Sequence, residues 1–471
     1  MNRSPLGFIV LAILWTACRQ STVTHDSPPN ILFIVTDDQR WDALGYAGNE
    51  IIQTPEMDRL ARKGTYFAKT FVTTPICAAS RASMLTGLYE RTHGYTFQQG
   101  PLKEPYTQMS YPVLLGKAGY HTGFYGKFGV QYENAEHLFD LAEIYDRGLE
   151  PNRKGYFYKT IDSDTVHLTR YTAHQAIEFI KNAPANKPFC LSLSFSAPHA
   201  HDPAPAQYFW QEKSNGRYAD ILIPPPALGE DQYFQDLPKE VQDGFNKTRW
   251  HWRYDSPEKY QHSVKGYYRM ISEIDDEIGT IRSVLEEEGL AENTIIILIG
   301  DNGYYLGERQ LAGKWLMHDN SLRVPLIVYD PREEEHHDIA DMVLNIDITS
   351  TILDLAGVDI PDAYQGFSLY PYVQSGHYVP KRDHILVEHL WDFDPIPSSE
   401  GIRTEEWKYF RYRFIEAPEE LYDLENDPME TNNLVQDSTY TDVLSKLRRN
   451  CNEKIERYEM AGLEHEAAQM E

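Results

Sequence analysis

Several stretches of this 471-residue chain set acids, an amide and bases directly after apolar runs. Residues 31–35 (ILFIV) lead into Thr36-Asp37-Asp38, residues 121–127 end on Lys127, residues 189–195 (FCLSLSF) lead into Ser196-Ala197-Pro198-His199, and residues 294–299 (TIIILI) lead into Gly300-Asp301-Asn302. Such continuous runs are the pattern of strands buried on both faces. In open α/β sheets ligands bind beyond the carboxyl ends of the strands. One sheet edge would then gather Asp37, Asp38, Lys127, His199, Asp301 and Asn302. Carboxylates crowded together repel one another, and a hard divalent cation resolves the repulsion. Oxygen-only ligands point to Ca²⁺ or Mg²⁺ rather than zinc. Taken singly, each Asp is equally a helix cap or a turn former. The pairs Asp37-Asp38 and Asp301-Asn302, both after buried strands, favour the metal.

Of the cysteines Cys18, Cys77, Cys190 and Cys451, Cys190 lies in an apolar strand and Cys451 in a C-terminal helical pattern. An odd number of thiols after Cys18 leaves at least one for another purpose in an exported protein. Cys77 stands in Pro75-Ile76-Cys77-Ala78-Ala79-Ser80-Arg81. Pro75 breaks the chain and the residues after it open a helix, so Cys77 falls at a helix N-terminus, where backbone N–H groups favour anions. Arg81 follows one turn later, on the same face.

Here the chain resembles the formylglycine-dependent (type I) sulfatases, whose signature is Cys, any residue, Pro or Ala, any residue, Arg, then Leu-Thr-Gly. Cys77, Ala79, Arg81 and Leu85-Thr86-Gly87 supply it. The likeness runs in order from about residue 30 to 435, through Gly126-Lys127, Ser196 to His199, Gly300 to Gly303, Gly313-Lys314-Trp315 and residues 420–428 (ELYDLENDP). It implies that Asp37, Asp38, Asp301, Asn302 and the modified Cys77 hold calcium, with magnesium the lesser alternative. It implies that Arg81 stabilises the formylglycine, that Lys127 and Lys314 bind sulfate oxygens, and that His199 contacts the sulfate and protonates the leaving alcohol. The hydrated aldehyde would attack sulfur through one hydroxyl and release sulfate by collapse through the other. The chain departs from the pattern at two places. Ala79 replaces a common proline, which restricts the maturation enzyme that oxidises Cys77. Gly129 stands where many members have a histidine that contacts the formylglycine hydroxyl. His93 and His318 are candidates to replace it, His318 because it would share a helical face with Lys314.

The elements that must position these groups follow from the rest of the pattern. Thr54-Pro55-Glu56 starts a helix that Gly64 ends. Residues 325–329 form a further buried strand, and helical patterns cover about 162–182 and 264–288. Strands alternating with helices argue for an α/β fold with a largely parallel sheet. The family resemblance makes it an alkaline-phosphatase-like sandwich, the sheet lying between helices. Past residue 380, short half-exposed strands at 383–388, 407–414 and 420–424 and a helix at 442–459 indicate a smaller C-terminal subdomain with an antiparallel sheet. The expected divisions are 1–18 signal, 19–29 linker, 30–378 catalytic domain and 379–471 C-terminal subdomain.

Arg3, the apolar 7–15 and the small residues before Cys18 read as an export signal, ending at either a lipidated Cys18 or a plain secretory cleavage. The protein is expected in the periplasm or anchored to the outer membrane of a bacterium. A formal net charge of -27 offers no broad basic surface for nucleic acid, so positive charge must be local. A sulfated carbohydrate is the expected substrate, with a formylglycine-generating enzyme as maturation partner. His201 and Asp202 would touch the leaving sugar, His318 would bind substrate, Arg249, His251 and Arg253 would read a uronate carboxylate, and the aromatic residues of 208–254 either stack on sugars or pack the excursion at 203–257. Phosphodiester or phosphonate hydrolysis on the same fold, and non-catalytic binding of sulfated glycans, are the alternatives.

Overall fold

The computed structural model describes residues 27–468 apart from positions 98, 149–154, 203 and 378–380. The expected signal, Cys18, most of the 19–29 linker and the 378/379 boundary lie outside the described residues. No helix among the described residues is long and apolar enough to cross a membrane.

Nine strands make the main sheet: β1 (Asn30–Thr36), β2 (Thr65–Phe71), β3 (His121–Gly126), β4 (Leu141–Ile144), β5 (Phe189–Phe195), β6 (Thr294–Gly300), β7 (Arg323–Val324), β8 (Leu326–Tyr329) and β9 (His337–Leu344). From β6 the order runs β6-β1-β5-β3-β4, all parallel. On the other side of β6, β8 is antiparallel to both β6 and β2, and β9 closes the edge parallel to β2. The helices that matter for the site and its support are α1 (Pro55–Lys63), α2 (Cys77–Thr86), α3 (Leu168–Asn182), α4 (Phe245–Arg253), α5 (Pro257–Glu287), α6 (Asp347–Leu355) and α7 (Thr441–Ala468).

The sheet is buried on both faces, and the interiors of its central strands β1 and β6 are apolar on both. Ile31, Phe33 and Val35 enter one core with Ile295, Ile297 and Ile299, beside α2 and α6. Leu32 and Ile34 enter the other with Ile296 and Leu298, beneath α1, α3 and α5. Strand residues alternate faces, so adjacent positions feed the two cores.

Four antiparallel strands, β10 (Ile385–His389), β11 (Ser399–Arg403), β12 (Trp407–Tyr412) and β13 (Glu420–Asp423), form the second sheet, with α7 packed on it. Strand β11 has the polar sequence SEGIR, and no periodicity announces it. It is nevertheless buried, because Glu400 is paired with Arg91 and Arg411. The expected Thr54 cap also differs. Thr54 donates its hydroxyl to Asp58, and the carboxylate of Asp275 on α5 accepts the Glu56 and Met57 N–H groups at 3.1 and 2.7 Å. A tertiary partner thus satisfies the orphan donors of α1.

Candidate active site

Register brings the strand ends to one rim. Thr36 lies opposite Gly300 on one side and Phe195 on the other, and Gly126 lies opposite Ser194. The chain continues hydrogen-bonded past each end: Asp37 N–H to Ala197 C=O at 3.1 Å, Asp301 N–H to Thr36 C=O at 2.9 Å, Lys127 N–H to Ser194 C=O at 3.0 Å. Asp37, Lys127 and Asp301 are therefore fixed by backbone bonds before any side chain is considered. Asp38 holds φ at 71°, a left-handed conformation that is uncommon outside glycine, and its N–H donates to Asp301 Oδ1 at 3.0 Å.

The side chains converge. Lys127 Nζ meets Asp37 Oδ2 at 2.6 Å, Lys314 Nζ donates to Asp38 Oδ1, and Asn302 Nδ2 donates to the same oxygen at 2.7 Å. His199 Nδ1 donates to the Ala200 carbonyl at 2.5 Å, which leaves Nε2 3.5 Å from Asp38 Oδ2. Lys314 arrives from a different route. Trp315, next to it, is pinned by its N–H to Pro75 C=O at 3.0 Å and holds φ at 81°. That bond ties the lysine to the segment just before Cys77.

Cys77 is the first residue of α2 and is 7% exposed. One turn on, Arg81 donates from Nε to Asp301 Oδ2 at 2.7 Å, and from Nη1 to the Lys127 carbonyl at 2.7 Å and to Ser194 Oγ. Cys77 lies within electrostatic reach of Arg81, Lys127 and Lys314. Asp37, Cys77 and Asp301 each offer a ligand atom within 4.8 Å of the others, and Asp37, Asp38 and His199 form a second such group.

Burial alone would raise the Asp37 carboxyl, but the charges of Lys127, Lys314 and Arg81 together hold it well below the carboxylate range. Asp38 is lowered in the same way, against burial, by the charge and hydrogen bond of Lys314. Burial pushes Asp301 up to about 6, with Arg81 opposing. Among the described residues, Asp37 Oδ1, Asp38 Oδ2, Asn302 Oδ1 and Arg81 Nη2 are buried without a hydrogen-bond partner. Buried polar atoms are ordinarily satisfied. Three orphaned oxygens on one rim fit a hard, oxygen-seeking cation such as calcium.

Gly129 has φ +73°, and a β-carbon there would stand 2.9 Å from Arg81 Cδ and 3.4 Å from Lys127 Cε. The position faces the site but is filled by these two cations. Neither histidine proposed to replace it is available. His93 uses both nitrogens, with Ser83 Oγ at 3.1 Å and the Tyr95 N–H at 3.1 Å. His318 is corrected outright: residues 314–317 are not helical, and His318 precedes a short helix (Asp319–Leu322). Its Nδ1 meets Tyr305 at 2.6 Å, and its ring packs against Phe410 and Tyr422 of the second sheet. His201 is fully buried between Gly155 and Phe209, packing the loop that carries His199. Of the basic trio on α4, Arg253 is consumed by Gln207, Tyr304 and Asp202. His251 is 55% exposed and faces Asp255 at 3.4 Å. Arg249 also turns inward, and its Nε is buried without a hydrogen-bond partner.

Arg147 and Tyr156 belong to this neighbourhood without any sequence signal. Arg147 lies just past β4, a short strand whose LAEI sequence lacks the buried pattern. Burial first, and then the Arg147 charge, lower His199 to about 3. The Tyr156 hydroxyl reaches the Ser196 and His199 carbonyls at 2.8 and 2.5 Å, bracing the loop.

An α/β sheet whose rim gathers a buried thiol, paired lysines and carboxylates defines a hydrolase of esterified oxyanions. The chain belongs to the sulfatase family, whose model, described as Sulfatase, matches residues 29–358. A second model, described as N-sulphoglucosamine sulphohydrolase, C-terminal, matches residues 307–457. An arylsulfatase of Clostridium perfringens (strain 13 / Type A) is 29% identical over 463 residues, covering 89% of this chain and 93% of its own. An N-acetylglucosamine-6-O-sulfatase of Bacteroides thetaiotaomicron is 26% identical over 524 residues, covering 97% and 91%. A solved structure of a protein in complex with its substrate D-glucosamine-2-N,6-O-disulfate has a TM-score of 0.77 at 25% identity, covering 92% of this chain and 98% of that one. The protein is a sulfuric ester hydrolase.

Proposed function

We propose that the protein removes sulfate esters from a sulfated carbohydrate, using a formylglycine made from Cys77 beside a calcium ion held by Asp37, Asp38, Asp301 and Asn302. The observation that carries this is the meeting of ligand atoms from Asp37, Cys77 and Asp301 within 4.8 Å, under the charges of Arg81, Lys127 and Lys314. The relatives named for N-acetylglucosamine 6-sulfate and bound to glucosamine disulfate support a glycan.

Calcium would supply charge neutralisation and Lewis-acid polarisation there, and formylglycine an aldehyde whose hydrate carries the nucleophilic oxygen. The chain's own residues do the rest. Lys127 and Lys314 are both raised, their carboxylate partners overriding burial, so they stay cationic. They offset charge on the sulfate oxygens as the transition state spreads it. Arg81 is anchored by Asp301 and the Lys127 carbonyl and holds its fork at the base of Cys77. The Nδ1 bond to Ala200 directs His199 Nε2 at the site. A sulfate anion beside Nε2 opposes the burial and the Arg147 charge that keep this ring neutral. His199 is thereby protonated with substrate in place and gives that proton to the leaving oxygen.

The N-terminal segment completes the proposal: export to the periplasm or outer membrane, with Cys18 as the lipid-bearing residue, and oxidation of Cys77 by a formylglycine-generating enzyme. Turnover of N-acetylglucosamine 6-sulfate by the matured protein and by Cys77→Ala tests the reading. The variant should lose about a thousandfold or more in kcat/KM, and near-normal release of sulfate would contradict the nucleophile.

A further inference from the structure

Two arginines near His199 carry buried N–H groups that nothing among the described residues accepts. Arg147 is 9% exposed, touches Asp146 through Nη1 at a long 3.4 Å, and leaves Nε buried without a partner. Its charge acts on His199, Asp37, Tyr156 and Asp202. Arg249, from α4, is 7% exposed and also leaves Nε buried without a partner. Its Nη2 meets Asp202 Oδ2 at 2.5 Å, and its guanidinium lies 4.5 Å over Trp315 and 4.7 Å over Phe245. A β-carbon on Gly313 would come within 3.3 Å of Arg249 Nη1. Arg249 holds Asp202 and the Arg147 charge acts on the same carboxylate and on His199, so the two arginines, from separate elements, share the neighbourhood of the residues that would grip the leaving group and the sulfate.

Charge balance sharpens the point. Among the described residues, the carboxylates in ion-pair contact with Arg147, Arg249 and Arg253 are Asp202 and the partly exposed Asp146, with both oxygens of Asp202 taken by Arg249 and Arg253. A cation held in the interior without a full partner is costly, and buried donors are ordinarily satisfied. In a protein of net charge -27 such a surplus cannot serve general attraction of anions. The ester sulfate is already matched by Lys127 and Lys314.

We infer that Arg147 and Arg249 form a second anion subsite, which takes an additional acidic group, sulfate or carboxylate, on the sugar bearing the ester. The inference rests on the sulfatase reading above, and makes the substrate class a glycan with a second negative charge close to the cleaved one. Arginine is suited to this because its planar fork binds sulfate and carboxylate bidentately.

Binding is measured by calorimetry on the full chain with Cys77 unconverted, so no turnover is needed. The probes are glucosamine 6-O-sulfate, glucosamine-2-N,6-O-disulfate, and a 6-sulfated disaccharide carrying a uronate. Wild type should bind one of the doubly charged probes at least about tenfold more tightly than the monosulfate, as a charge-assisted pair contributes. Which of them gains tells sulfate from carboxylate. Arg147→Gln and Arg249→Gln should each cut that preference by about tenfold, whatever happens to the monosulfate itself. Arg249→Gln also disturbs the Asp202 pair, whereas Arg147→Gln removes only the long Asp146 contact, so the second variant decides if the first is unstable. Equal affinity for all probes in wild type, or a preference unchanged in both variants, overturns the inference. A retained preference in a matured protein that hydrolyses none of the probes would leave the subsite standing and sink the hydrolytic reading instead.

Discussion

Replacing Asp301 by Ala should strike the support of the site and the proposed calcium together, and the two losses separate by condition. Asp301 is fully buried, holds Arg81 Nε at 2.7 Å and accepts the Asp38 N–H at 3.0 Å. Without calcium, the variant leaves the Arg81 guanidinium, itself 6% exposed, facing a lost partner. Removing one member of a buried pair costs about 3–5 kcal/mol. Against a typical stability of about 5–15 kcal/mol the protein should still fold. With calcium at a hundred times its dissociation constant, wild type gains about 2.7 kcal/mol by linkage. A site weakened a hundredfold gains only about 0.4 kcal/mol at the same free calcium. Urea unfolding in chelator and in excess calcium reads both numbers. Asp301→Asn, which keeps an acceptor for the Asp38 N–H, should lose less in chelator yet lose the calcium increment too. A calcium increment of wild-type size in Asp301→Ala would refute the ligand assignment, and an unchanged stability in chelator would refute the buried pair.

Restoring the family's histidine with Gly129→His should lower activity at least about tenfold, because the new β-carbon meets Arg81 at 2.9 Å in a left-handed backbone position. A gain in kcat would show that the site has room after all. His318→Phe should lower the melting temperature through loss of the Tyr305 bond while kcat/KM stays within about threefold, since that ring packs on the second sheet; a collapse of kcat/KM in a stable variant would return His318 to the site. His167 caps α3 by accepting the Thr169 N–H at 3.1 Å, and burial lowers it to about 4. A depressed histidine contributes stability that is fully present above about 6.5 and lost as pH falls through about 4. His167→Gln should therefore flatten the acid limb of stability between those values, and an identical limb would show that His167 titrates normally.

The rim of the sheet was readable because β1 and β6 have wholly apolar interiors and β5 is broken only by serines, so where the apolar run stops the chemistry begins. Asp37, Asp38, Lys127, Asp301 and Asn302 fall at those stops, and the parallel register puts them side by side. Arg81 was legible from its helical spacing to Cys77, whereas Lys314 needed the motif, since its contact with Asp38 spans 276 residues. Strands β2 (TYFAKTF) and β9 (HDIADMVL) carry polar residues within them and did not stand out. The hairpin of Phe157–Ile161 with Asp164–His167 occupies what the helical pattern at 162–182 claimed, and α3 begins only at Leu168. His318 was misplaced by assuming a helix through 314–318, where the backbone instead bends after a left-handed Trp315. Arg147 was invisible because β4 joins the sheet edge through four residues of half-exposed sequence.

In the proposed reaction the working group is an aldehyde made from Cys77, not its thiol. Peptide mass spectrometry of the protein purified from a host with the maturation enzyme measures this directly. The Cys77 peptide should be about 18 Da lighter than its sequence mass, the change from thiol to aldehyde, and sulfate release should scale with the converted fraction. Full hydrolytic activity in a preparation whose Cys77 peptide keeps the unmodified mass would contradict the account.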